Sequence, residues 1–353
     1  MALTLLTGCA EDAASAAEER PAASPSPTRE AKETKAAKST KPSAKPKAKP
    51  KAKPAKKPAA AAAADGACAT SLGDSFWRAQ AAGLPVHAKS SAYVSAIGPG
   101  DNVHPDFGSG LIDGKPFGIP VTTVDEDVAA AKVSFDYADE SDKSGYRIPN
   151  DARVEGGANG DGDRHVIVWD KHRCNAYELY DAKRGGNGSW HAGSGAVFDL
   201  KDHKLRPDGW TSADAAGLAI LPGLVRYDEV ASGRIDHAIR MTVPESDRSY
   251  IWPARHQAGA EDNKNLPPMG LRLRLKDGVD TSGMPKQARV VAEALKKYGA
   301  IVADNGSSWY LSGDQDDRWD NEQLNALKDL KGSDFEAVDA SGLKTDDDSG
   351  RVG

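Results

Sequence analysis

Residues 10–66 are built from Ala, Pro, Lys, Ser and Thr, with the near-repeat Lys45-Pro46-Lys47-Ala48-Lys49-Pro50-Lys51-Ala52-Lys53-Pro54 at the centre. A segment with so few large apolar side chains cannot offset the conformational entropy of folding, so it is expected to be a disordered tether. Pro-rich chain favours extended polyproline II, which makes the tether a semi-rigid spacer well over about 100 Å long. Any folded core must come from the sequence after it. The expected organisation is one domain over 67–343, followed by a disordered acidic tail over 344–353. Charge divides at the same boundary. The tether carries 13 basic and 7 acidic side chains, leaving 33 basic and 45 acidic for 67–353, so a body at -12 hides behind a whole-chain net charge of -6. An acidic body is a poor general binder of nucleic acid, whose affinity comes from neutralising phosphates with Lys and Arg. The Lys-Pro-Ala tether resembles linker-histone tails and keeps nucleic-acid binding open there alone, ranked behind contact with anionic wall polymer or lipid head groups.

Ahead of the tether, residues 1–9 end in Leu6-Thr7-Gly8-Cys9. This looks like a bacterial lipobox, in which the cysteine is lipidated after cleavage of a signal. The basic and apolar regions of such a signal are cut short here, and residues 1–9 are read as a truncated lipoprotein signal. No apolar run approaches the roughly 18 residues needed to span a bilayer. With Cys9 lipidated, Cys68 and Cys174 remain. An even pair in an oxidising compartment is most simply a disulfide, with two free thiols as the alternative.

The body reads as mainly β, an antiparallel sandwich or jelly-roll-like fold with a few helices late in the chain, or else as α+β. Leu271, Leu273 and Leu275 alternate with Arg272, Arg274 and Lys276. Ile235, His237, Ile239, Met241 and Val243 share one strand face, with Asp236, Ala238, Arg240 and Thr242 on the other. His165–Asp170 and Ala176–Tyr180 form a hairpin pattern around Cys174, and Trp190 to Leu200 alternates as a further strand run. Ala288, Val291, Ala292, Leu295 and Tyr298 make a helical stripe that starts at Pro285 and stops at Gly299. Asn305-Gly306 between Ile301-Val302-Ala303 and Trp309-Tyr310-Leu311 predicts a hairpin. A shorter helix is expected from Asp320 as cap to Lys331.

From Phe76 to Val338 the chain resembles a family of uncharacterised secreted proteins common in actinobacteria and other soil bacteria. The resemblance is carried by His104-Pro105-Asp106-Phe107-Gly108, Gly162-Asp163-Arg164-His165-Val166, the run from Arg206 to Leu218, the run from Leu221 to Glu229, Trp252-Pro253-Ala254-Arg255-His256, and Ala303 to Tyr310. It implies export. It implies no activity, since the family carries no established one.

Several signatures fail on their chemistry. Gly108 to Lys115 lacks the glycine of a phosphate-binding loop, and Pro116 stands where Ser or Thr would hold magnesium. Arg234 to Met241 echoes the L,D-transpeptidase motif without its nucleophilic cysteine. No cofactor and no metal are expected. The one cation reading is calcium at Asn159-Gly160-Asp161-Gly162-Asp163, where Arg164 replaces the glycine that the turn requires.

Aromatic, His and carboxylate side chains gather on loops and strand ends, an inventory that suits a glycan. The candidate catalytic residues are Asp214, His237 and His256, and the candidate substrate-binding residues are Trp210, Trp252, Asp304 and Trp309. Asp228 and Glu229 are further candidate carboxylates. The competing reading of the Trp residues is core packing, and that of His237 a satisfied core histidine on the Ile235 face. Together these features lead to an extracytoplasmic lipoprotein, held to the membrane through its lipid anchor or secreted, whose monomeric domain binds cell-envelope or environmental polysaccharide or another cell-wall polymer. A glycan-cleaving hydrolase or lyase is the alternative.

Overall fold

The computed structural model describes residues 68–157 and 159–353. Cys9 and the tether lie outside the described residues. The body is strand-rich, with short helices and four sheets. In chain order, α1 (Ser90–Ile97) precedes β1 (His104–Asp106), β2 (Leu111–Ile112), β3 (Lys115–Pro116), β4 (Val121–Val124) and β5 (Val133–Phe135). Then come β6 (Val166–Asp170), β7 (Asn175–Tyr180), β8 (Lys183–Arg184), β9 (Trp190–Ala192) and β10 (Ser194–Asp199). The last part holds α2 (Tyr227–Ser232), β11 (Ile239–Val243), β12 (Arg272–Leu275), α3 (Lys286–Lys297), β13 (Ala300–Asn305), β14 (Tyr310–Ser312), α4 (Asn321–Asn325) and β15 (Phe335–Val338).

The largest sheet has six strands in the order β1-β14-β11-β13-β12-β15, and a second has the order β10-β7-β6-β4. Both are mixed: β1 with β14, β11 with β13 and β4 with β6 run parallel, the other pairs antiparallel. Parallel pairs depart from the wholly antiparallel arrangement expected. The reason lies in the connections, since parallel neighbours need long crossovers such as the one carrying α3. The many strands with few helices fit either a β-rich or an α+β description.

The expected β6–β7 hairpin forms, with Cys174 in the turn at φ 60. Val166 and Val168 face one cluster, containing Tyr177, Leu179 and Trp190, while Ile167 faces another with Ala176, Ile220 and Leu221. A sheet buried on both faces accounts for the unbroken apolar run Val166-Ile167-Val168. In α3 the stripe Ala288, Val291, Ala292 and Leu295 is fully buried in the main core with Tyr298, and Gly299 ends the helix at φ 73. Asp320 caps α4 by accepting from the Glu322 and Gln323 amides, but the α-helix runs only to Asn325.

The helices fall mainly late in the chain, as expected, with α2, α3 and α4 all after β10 and only α1 ahead of the strands. Two expectations are corrected. The hairpin across Asn305-Gly306 does not form: β11 lies between β13 and β14, and the Gly306 amide donates to Val243 of that intervening strand. The last ten residues are not frayed. Ser349 bridges Lys204, Arg351 bridges Ser75, and the Phe76 amide donates to Gly350. Cys68 and Cys174 form a disulfide. Among the described residues no helix is long and apolar enough to cross a membrane.

Candidate functional site

Where the six-stranded and four-stranded sheets meet, the loop over 211–217 crosses a one-residue irregularity in β13. Met241 pairs Val302, but Thr242 pairs Asp304, so Ala303 is bulged. A bulge re-aims the side chains after it. It brings Asp304 onto the Arg240 side of the strand, and the Ala303 carbonyl accepts from the Ala216 amide, fastening the loop to the sheet. Gly217, at φ 69, makes the turn that follows; a Cβ there would sit 2.5 Å from the Trp210 carbonyl oxygen.

Arg240 is the centre of the arrangement. Its Nε donates to Asp214 Oδ2 at 3.1 Å and its Nη2 to Asp214 Oδ1 at 2.9 Å, while Nη2 also reaches Asp304 Oδ2 at 2.9 Å. Nη1 donates to Ser312 Oγ at 2.7 Å. Asp214 is fully buried; Asp304 keeps 23% of its side chain exposed. Burial pushes both carboxyls up, and burial with the neighbouring Asp214 charge carries Asp304 to about 6 against the pull of Arg240. Asp304 is therefore a carboxyl that can hold or release a proton near neutrality.

Beneath the loop, His165 donates from Nδ1 to Glu155 Oε2 at 2.6 Å and from Nε2 to the Ala213 carbonyl at 3.2 Å. Burial pulls this imidazole down, but the Glu155 carboxylate overrides it and holds the ring at about 9, so both nitrogens donate. On β7, the buried Glu178 accepts from the Ile220 and Leu221 amides at 2.8 and 2.9 Å, and burial pushes it up to about 7. Ser212 Oγ accepts from the Asp214 amide at 2.9 Å and lies 2.6 Å from the Leu218 carbonyl, setting the loop's shape.

The loop over 211–215 and Asp304 line a cleft of about 510 Å3. Its carboxylates are Glu140, Asp163, Asp214 and Asp304, and no Lys or Arg lines it. His256 stands on one wall, its Nδ1 donating to the Ala215 carbonyl at 2.9 Å and its Nε2 3.7 Å from Glu140. Glu140 also accepts from the Thr211 amide at 3.1 Å. Tyr137 and Tyr180 provide aromatic surface, Tyr137 being 56% exposed. Asn305 donates to the Ala258 carbonyl at 2.9 Å.

Of the residues expected to act together, Asp214, His256 and Asp304 meet in this cleft. The others do not line it. His237 is buried elsewhere, between the Ala238 carbonyl and Glu229 Oε2 at 2.8 and 3.1 Å. Burial raises Glu229, but His237 and Arg226 hold it down at about 2. Asp228 is exposed and pairs with Arg318. Trp309 is a core residue, 1% exposed, donating to the Gly98 carbonyl at 2.7 Å and packed on Phe335. Trp252 donates to the Ser349 carbonyl at 2.9 Å and meets Phe76 edge-on, while Trp210 lies beside the Arg206 guanidinium.

Sequence reasoning passed over Tyr137, Tyr180 and Glu140, which line the cleft, and Arg240, which holds two of its carboxylates. Only Arg240 carried a usable signal, as a charge inside an apolar strand. Among the described residues no group of three or more His, Cys, Asp or Glu side chains is placed to hold a metal ion. At the loop considered for calcium, Asp161 is paired with Lys115 at 2.6 Å, and the Arg164 guanidinium donates to the Gly160 carbonyl at 2.6 Å. Two protein cations thus engage two oxygens of this loop. Comparison with protein-family models, with curated proteins and with solved structures returned no match, so no family is identified and the functional reading rests on this geometry.

Proposed function

We propose that this chain is a monomeric extracytoplasmic lipoprotein, anchored through Cys9, whose cleft binds a neutral or amino-bearing glycan of the cell envelope or the environment. The observation that carries the reading is the lining: four carboxylates, two tyrosines, a histidine and an asparagine, with no Lys or Arg. Fixed carboxylate and amide groups suit sugar hydroxyls, tyrosine rings suit the apolar faces of pyranoses, and an excess of carboxylates over cations disfavours acidic polymers. The disulfide is compatible with an oxidising compartment.

Glycan cleavage is the second reading, favoured by Asp304. Its carboxyl and that of Asp214 bond one Arg240 nitrogen, so the bonded oxygens stand at most about 6 Å apart, a bound compatible with the about 5–5.5 Å of a retaining carboxylate pair. Asp214, however, is enclosed and held by Arg240 through both oxygens. Only Asp304 is free to act, as a proton donor.

Calorimetry of the full chain against chitohexaose and cellohexaose tests the proposal. Wild type should bind one of them, and Asp304→Asn and His256→Ala should each weaken binding tenfold or more with melting temperatures within a few degrees of wild type. Absence of binding to a broad panel of neutral and amino glycans would overturn it. For the anchor, Cys9→Ser expressed from the full reading frame should leave the membrane fraction; unchanged fractionation would refute lipidation.

A further inference from the structure

On the side of the domain built from β3, β8 and the loops over 150–164 lies a second groove, about 590 Å3, whose charge is the reverse of the first. Arg153, Arg164, Lys183 and Arg184 line it with Gln315, and no acidic side chain does. In a body at -12 this demands an explanation, because most arginines elsewhere are held by carboxylates: Arg206 by Asp142, Arg240 by Asp214 and Asp304, Arg274 by Glu336, Arg318 by Asp316 and Asp228.

The groove's arginines are held differently. Arg164 donates to the carbonyls of Gly160, Ala182 and Gly157 at 2.6, 3.1 and 3.4 Å. Arg184 donates to the carbonyls of Asn150 and Ala152 and lies over the Trp190 ring at 4.4 Å. Arg153 donates to the Val121 carbonyl at 2.7 Å. Carbonyl anchors orient a guanidinium while leaving its full charge in place. Of the four cations, Lys183 alone has a carboxylate contact, with Asp181 at 3.0 Å. Asp316 feels the field of Arg153, but that carboxylate is engaged by Arg318. Oriented, uncompensated guanidinium groups in a recess are the arrangement that recognises phosphate, bidentately and with charge-assisted hydrogen bonds.

We infer that this groove is a binding site for a phosphodiester-bearing polymer, a site separate from the acidic cleft and made of different residues. A recess rather than a flat face favours a chain threaded through it over a membrane plane. The two sites would then sort envelope polymers by charge, with phosphate chains in the groove and uncharged or amino sugars in the cleft.

The test uses the full chain and an end-labelled synthetic poly(glycerol phosphate), followed by fluorescence anisotropy at low and moderate salt. To silence the Lys-rich tether, its eleven lysines are replaced by glutamine in every variant. In that background binding should persist and weaken with salt. The double variant Arg153→Ala with Lys183→Ala should lose tenfold or more in affinity with unchanged melting temperature. Hydrogen exchange should slow over 150–154 and 182–184 when polymer is added. Equal affinity in the double variant, or equal binding of uncharged dextran of the same length, would overturn the inference. So would binding confined to anionic phospholipid vesicles and abolished by Leu111→Ser with Ile112→Ser, the exposed hairpin beside the groove, since it would assign the surface to a membrane.

Discussion

Asp214 and Asp304 accept hydrogen bonds from one nitrogen of Arg240, each at 2.9 Å. Two carboxylates on one buried cation cannot both be compensated. The fully enclosed Asp214 takes the fork of the guanidinium, and Asp304, partly in water, carries the excess. The division explains why the two carboxyls differ within one cleft: Asp214 is fixed by both of its oxygens, while the partly exposed Asp304 is carried to about 6.

Removing the guanidinium should be severe. Arg240→Met would leave Asp214 buried without a partner, and breaking a buried pair in this way typically costs about 3–5 kcal/mol. Urea unfolding should show that loss, with Arg240→Lys intermediate because a point charge cannot reproduce the fork. A loss under about 1 kcal/mol for the Met variant would mean that the loop is held by other contacts.

The His165–Glu155 pair predicts a sign for the pH dependence of stability. His165 is held at about 9 in the folded chain against an ordinary 6.5, so the folded state binds the extra proton between those values. Its contribution is complete below pH 6.5 and is lost as the pH rises through 9. Against His165→Gln, the wild-type advantage in urea should therefore be largest near pH 6 and shrink by pH 9.5. An advantage that grows with pH would reverse the assignment. An NMR titration should find the ring still protonated at pH 8.

Trp309 should report on stability rather than on ligand. Its ring is enclosed and its indole N–H is spent on Gly98, so Trp309→Ala should cost about 3–5 kcal/mol. Trp309→Phe, losing the N–H donor but keeping most of the packing, should fold and bind glycan with wild-type affinity. Loss of affinity in the Phe variant at unchanged stability would return Trp309 to the site.

The disulfide closes a loop with a sequence separation of 106. By the chain-entropy model such a bridge is worth of order 4 kcal/mol, often less when measured. Alkylation before reduction should label neither Cys68 nor Cys174, and Cys68→Ser with Cys174→Ser should lower the urea midpoint. Labelling of both in exported protein would refute the bond in the native molecule.

What could be read from the sequence was local. The β6–β7 strands are apolar runs bounded by a turn and form a hairpin buried on both faces, and the helical stripe of α3 matches its buried face. Arg240 shows where this stops. Alternation separates it from Ile239 and Met241 but is silent on what covers its face, and here the 211–217 loop with Asp214 covers it. Asn305-Gly306 does turn the chain, yet turn residues cannot announce that β11 will enter between the two arms. The tryptophans misled for a chemical reason. An indole N–H satisfied by a backbone carbonyl is at home in a core, as at Gly98 and Ser349, and the cleft takes its aromatic surface from tyrosines.

The strand order of the large sheet also governs when this protein can fold. His104 of the first strand pairs with Tyr310, and the opposite edge is completed by Phe335–Val338 against β12. Until synthesis passes those positions, β1 has no neighbour within its sheet. A ribosome making this chain must release nearly all of it before the sheet can close, and contacts this distant along the sequence assemble slowly.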